Sequence, residues 1–87
     1  MTATGLTVYI TRPAAPACVR VCTFLQRRGY TYTTVDVVTD EDRAALKART
    51  GHASCPVVVA GSHVIGKLEQ TVEADRTGRL RDLLERG

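Results

Sequence analysis

Residues 7–29 read TVYITRPAAPACVRVCTFLQRRG, and their hydrophobic period changes partway along. From Thr7 to Thr11, Val8 and Ile10 alternate with Thr7, Tyr9 and Thr11, a period of two in β-branched and aromatic residues that predicts a strand. Pro13 and Pro16 close it, and Pro16 suits the first turn of a helix because its missing N–H would have no partner there. Cys18, Val21, Cys22 and Leu25 then recur at i, i+3, i+4 and i+7, one stripe facing a core, while Arg20, Arg27 and Arg28 lie largely elsewhere. Gly29 is the signal that ends the helix, as a C-cap.

Outward from this stretch, Thr31 to Val38 predicts a second strand, rich in Thr, Tyr and Val, with Asp36 near its end. Asp40 reads as the N-cap of a second helix, with Glu41 and Asp42 in a first turn whose dipole favours acids. Ala44, Ala45, Leu46 and Ala48 carry it to Gly51, and so many alanines suit a helix that packs closely or sits at the margin. His52 to Cys55 is a loop running into Pro56, Val57 to Ala60 an apolar strand, and Gly61-Ser62 a hairpin turn of type II′ from which His63 to Ile65 returns. Glu69 to Asp75 suggests a short helix, and Leu80, Leu83 and Leu84 anchor a last one before Gly87. The order β-α-β-α-β-β-α requires a parallel pair with a right-handed crossover, to which the hairpin adds antiparallel strands. The expected class is α/β, a four-stranded mixed sheet flanked by helices on both faces.

The 87 residues fit one domain, 1–87, that buries roughly two thirds of its unfolded surface. With 44% hydrophobic and 24% charged residues, it should fold without disulfide or metal staples. No apolar run approaches the roughly 20 residues of a membrane span, and Met1 to Leu6 lacks the charged and apolar blocks of a signal peptide. The expectation is a cytoplasmic protein with no membrane partner, where an odd count of three cysteines argues against a closed disulfide framework. The net charge of +3 is uneven, because Arg12, Arg20, Arg27 and Arg28 fall before Tyr30 without an acid among them. Such a segment favours anionic partners, from nucleic acid to acidic protein surfaces and small carboxylates, or stands as solvated arginines on one helix face. Nucleic acid is not expected, since Tyr9, Phe24, Tyr30 and Tyr32 are too few for a base-stacking surface.

Several segments together resemble the glutaredoxins over nearly the whole chain. They are Tyr9-Ile10-Thr11-Arg12-Pro13, Ala15-Pro16-Ala17-Cys18, Ser54-Cys55-Pro56, Gly61 with Ile65-Gly66, and Ala74 to Leu80. Ala15 to Cys18 falls where that family carries Cys-Pro-Tyr-Cys, and Ser54-Cys55-Pro56 matches its Thr-Val-Pro segment, whose proline is cis. The run Pro56 to Gly61 also resembles the glutaredoxin-like hydrogen donors of ribonucleotide reductase, although their Trp-Ser-Gly-Phe signature is absent. The resemblance implies a thioredoxin-like fold, thiol–disulfide exchange with a glutathione or protein thiol partner, and glutathione as co-substrate with no bound cofactor.

One position departs from the family in a way that bears directly on activity. A Cys-x-x-Cys motif works because its first thiol, at a helix N-terminus, is held as a thiolate, attacks a disulfide and is released by the second. Ala15 stands at that first position, so the nucleophile is missing and only Cys18, at the resolving position, remains. Three explanations stand: an engineered replacement of cysteine, a natural protein that kept the fold for binding, or a relocated thiol. For the last, Cys55 is the candidate, because in the family the residue before the cis proline lies beside the active-site helix. Pairing of Cys18 with Cys55 requires Cα atoms within about 7 Å. Alternatively Cys55 is a small apolar filler, as Cys22 is expected to be on the core stripe.

Metal binding is not expected. His52 and His63 read as loop and hairpin residues, no Cys-x-x-Cys pair is present, and family members that hold an iron–sulfur cluster use the first motif cysteine. Glutathione recognition in the family maps onto Arg12, onto Cys55 and Pro56, and onto Lys67, Leu68 and Glu69. An arginine can pair with a carboxylate, and backbone beside a cis proline can hold an extended peptide as an added strand. Gly66-Lys67 replaces the family's Gly-Gly, Glu69-Gln70 an acidic pair, and Ala17 its usual tyrosine. The expected function is a glutaredoxin-like oxidoreductase scaffold altered at Ala15. The alternative is a non-catalytic module that binds a thiol peptide or partner protein beside Pro56.

Overall fold

Four strands form one sheet in the order β2-β1-β3-β4, where β1 is Leu6–Thr11, β2 Tyr32–Val37, β3 Val57–Ala60 and β4 His63–Gly66. This is a computed structural model, and it describes residues 5–86. Of the stretch Met1 to Leu6, expected to lack a signal peptide, residues 1–4 lie outside the described residues. β1 runs parallel to β2, with Leu6 opposite Tyr32, and antiparallel to β3, with Tyr9 opposite Val57. The expected mixed sheet is present, and β1 is one of its two inner strands.

Alternation along β1 divides the core between the two faces of the sheet. Leu6, Val8 and Ile10 point to one face, where they meet Val58, Ala60 and Ile65, and three helices cover them. These are α1 (Pro16–Arg27), contributing Cys18, Val21 and Leu25, α3 (Leu68–Arg76), contributing Ala74, and α4 (Arg79–Arg86), contributing Leu80. The opposite face carries a smaller cluster of Tyr9, Val37 and Val57, closed by Leu46 from α2 (Asp40–Thr50). Leu46 is the one buried residue of α2, while Ala44, Ala45 and Ala48 are exposed, so this helix sits at the margin.

The ends of the helices show where local chemistry decides between neighbouring candidates. Thr39, not Asp40, caps α2: its hydroxyl accepts from the Asp42 N–H at 3.0 Å, and Asp42 Oδ2 accepts from the Thr39 N–H at 3.1 Å. That reciprocal box needs an acid three residues after the cap, and Asp42 supplies it for Thr39. Asp40 moves into the first turn. Arg28 is the cap residue of α1 and Gly29 lies just past it at φ +82°, with the Tyr30 N–H bonded to the Leu25 carbonyl and the Gly29 N–H to that of Gln26. In the hairpin, Gly61 has φ +62° and Ser62 no positive φ, as a type II′ turn requires. The C-terminal segment breaks into two helices at Thr77-Gly78, so the order is β-α-β-α-β-β-α-α. α1 and α3 are tied to each other's surroundings by Asp75, whose side chain is 7% exposed, pairs with Arg28 at 2.8 Å and accepts from the Tyr30 hydroxyl at 2.6 Å. Burial and this carboxylate both push the Tyr30 hydroxyl above its ordinary pKa.

Candidate functional site

The site forms where the loop after β1, the first turn of α1, the loop before β3 and the start of α3 converge. Ala15 is the N-cap of α1, with extended backbone, and its carbonyl accepts from the N–H groups of Cys18 at 2.9 Å and Val19 at 3.2 Å. Its methyl group is partly buried and packs on the main core, so it supplies neither a cap nor a nucleophile. One turn on, Cys18 is 1% exposed, with Sγ 3.9 Å from the Thr11 hydroxyl. That hydroxyl also accepts from the Ala15 N–H at 3.3 Å and donates to the Pro13 carbonyl at 3.2 Å, stitching the loop together.

Cys55 precedes a cis peptide bond to Pro56, and a second cis bond joins Arg12 to Pro13. Its thiol is half-buried and touches both core clusters, whereas Pro56 is fully inside. Burial and the neighbouring Cys18 push the Cys55 thiol above the ordinary range, against an opposing pull from the Lys67 ammonium. Cys18 and Lys67 therefore each lie within electrostatic reach of Cys55, and all three cysteines are free thiols. Cys22 is half-buried beside the same core rather than fully inside it.

Lys67 reaches across to the loop before β3. Its ammonium donates to the Ser54 carbonyl at 2.9 Å, to the Ser54 hydroxyl at 3.1 Å and to the Pro56 carbonyl at 3.4 Å. Leu68 packs against the main core beside it, while Glu69 is exposed in the first turn of α3. Arg12 is drawn to Asp36 at the end of β2, 2.9 Å away, so among the candidate residues it alone is held by a carboxylate of this chain.

A family model described as Glutaredoxin matches residues 7–65. The chain belongs to the glutaredoxin family. Its fold overlays the buckwheat glutaredoxin–glutathione complex with a TM-score of 0.76 at 28% identity, covering 93% of this chain and 76% of that one. Glutaredoxin from Brucella melitensis gives a TM-score of 0.78 at 26% identity, covering 98% and 92%. A mutant of actin interacting protein 5 gives 0.67 at 29% identity, covering 97% and 90%. No curated protein matches this chain.

In this glutaredoxin, Ala15, Cys55 and Leu68 pack against the core cluster that holds Cys18, and Lys67 is bonded to the Ser54 and Pro56 carbonyls, while Glu69 faces solvent. Sequence reasoning missed Thr11 and Ser54. Both stood in segments that resemble the family, Tyr9 to Pro13 and Ser54 to Pro56, without a role of their own. For Thr11 the available signal was a hydroxyl a few positions before the start of α1. Because the Lys67 ammonium favours the Cys55 thiolate, Lys67→Met should slow alkylation of Cys55 by roughly two- to fivefold at fixed pH, the scale of a part-exposed charge pair. Mass-resolved labelling kinetics measure this, and an unchanged rate would show the ammonium to be a tether only.

Proposed function

We propose that this glutaredoxin exchanges disulfides slowly through Cys55 and Cys18, using the groove beside Pro56 to hold glutathione or a peptide that carries the reacting sulfur. The observation that carries this reading is the partly exposed Cys55 thiol, packed on the same core cluster as the buried Cys18 and within its electrostatic reach, in a chain whose α1 starts from Ala15 and offers no sulfur there. The Cys55 thiolate attacks the disulfide of a glutathione mixed disulfide, the attacked S–S bond breaks and one thiol leaves. The Cys18 thiolate then attacks Cys55 Sγ, expelling the second thiol and leaving a Cys18–Cys55 disulfide that two glutathione molecules reduce. Glutathione is thus a co-substrate, and the reducing cytoplasm the fitting compartment.

The raised Cys55 thiol sets the pH dependence. Its neutral form persists to higher pH than in an ordinary cysteine, so attack should be slow near neutrality and accelerate as pH rises past the ordinary thiol range. Oxidised glutathione should yield a Cys18–Cys55 crosslink on peptide mass mapping, faster at alkaline pH and absent in Cys55→Ser. Recovery of all three thiols by alkylation after oxidation would overturn the proposal.

The depth of Cys18 and the raised Cys55 thiol favour a second reading, a binding module without turnover. Retention of a glutathione-bearing peptide without any crosslink selects it.

A further inference from the structure

Next to the thiol site, α1 and α3 leave a groove of about 380 Å³ between them. Val19, Arg20, Thr23, Phe24 and Arg27 line it from α1, Leu68 and Val72 from α3. Val19 is 52% exposed and Val72 38%, so the apolar floor is open to water rather than closed by the chain's own packing. No acid lines it. Arg12, Arg28, Arg43 and Arg76 each pair with a carboxylate and Arg81 lies over the Tyr30 ring, whereas Arg20 and Arg27 make no ion pair among the described residues. Seven residues separate them, two helical turns or about 10 Å, which puts one positive charge towards each end of the apolar strip.

We infer that this groove docks an acidic amphipathic helix of a partner protein, its apolar stripe on Val19, Phe24, Leu68 and Val72 and its carboxylates two turns apart against Arg20 and Arg27. The length of the strip, the i, i+4 spacing of Leu68 and Val72 and the spacing of the arginines all match a helix laid in a groove rather than a small ligand. The charge is complementary in one sense only. A basic segment would meet two arginines with nothing to pair them. Leu68 follows Lys67 directly, so a segment seated here runs up to the loop that carries Cys55. The docking is independent of any thiol chemistry, and the small area makes it a transient contact.

The test uses three synthetic helical peptides with the same apolar stripe and net negative, neutral or positive flanking charge, titrated into the isotope-labelled protein. The acidic peptide should bind tightest and shift the amides of Val19, Arg20, Phe24, Leu68 and Val72. Charge reversal in Arg20→Glu with Arg27→Glu should weaken it about fivefold or more at moderate salt and make the basic peptide the preferred one. Val72→Asp should remove binding of all three, with circular dichroism confirming that the variant is folded. Equal binding of the three peptides, no binding at millimolar peptide, or self-association of the protein through this groove would each overturn the proposal. Because none of these readouts involves a sulfur, failure here leaves the Cys55–Cys18 reading untouched, and failure of that reading leaves this one standing.

Discussion

Ala15→Cys is expected to raise the rate of reduction of a small glutathione mixed disulfide by roughly tenfold or more near neutral pH. The new thiol would sit at the N-cap of α1, at the positive end of the helix dipole and next to the buried Cys18. An ordinary thiol is only a few per cent ionised near pH 7, and Cys55 is held below even that, whereas a cysteine at a helix N-terminus is largely thiolate. Lower basicity costs intrinsic nucleophilicity, with a Brønsted slope of about 0.4–0.5, and so returns part of the gain. What remains comes from access and from the second step, since a less basic sulfur also leaves faster when Cys18 attacks. The advantage of the variant should shrink as pH rises and Cys55 ionises in the parent. Steady-state assays of both proteins across pH decide this, and equal rates throughout would mean that the scaffold lacks more than one sulfur.

The largest effect on stability should come from Leu25→Ala. Leu25 is fully buried, and its carbonyl accepts the Tyr30 N–H that locks the end of α1. Truncating a leucine at such a site costs about 3 kcal/mol in lost transfer energy and cavity. For a domain of this size that lowers Tm by roughly 12–24 °C. Calorimetry should show the fall, with no matching loss from Leu83→Ala, whose side chain is only half-buried. A shift of a few degrees would mean that α1 and α3 close over the gap.

The fold was legible because several local signals agreed. The change of period between Ile10 and Cys18, the glycine-first turn at Gly61 and the Leu80 repeat each pointed to the element that forms. The cap of α2 was misplaced by one residue because Thr39 and Asp40 are both good caps. The acid that chooses between them, Asp42, does so through side-chain geometry. The site was legible only as far as residue types and family resemblance reach. The position of Cys18 in the first turn of α1 and the cis bond before Pro56 could be placed. The contacts that organise them could not, because Lys67 and Ser54 lie thirteen residues apart and meet only after β3 and β4 have paired. The pairing of Arg12 with Asp36 likewise depends on the parallel register of β1 with β2.

The unequal halves of the core have a consequence for motion. Three helices share the larger cluster, while Leu46 is the one side chain that α2 buries fully against the sheet. Sub-global opening should therefore begin on the α2 side, where the least apolar surface is surrendered. The loop that carries Cys55 runs from the end of α2 to β3, and the cysteine touches both clusters. A ligand held beside Pro56, as proposed above, would then select the closed members of this ensemble and damp the fluctuations of α2, a helix that it need never touch.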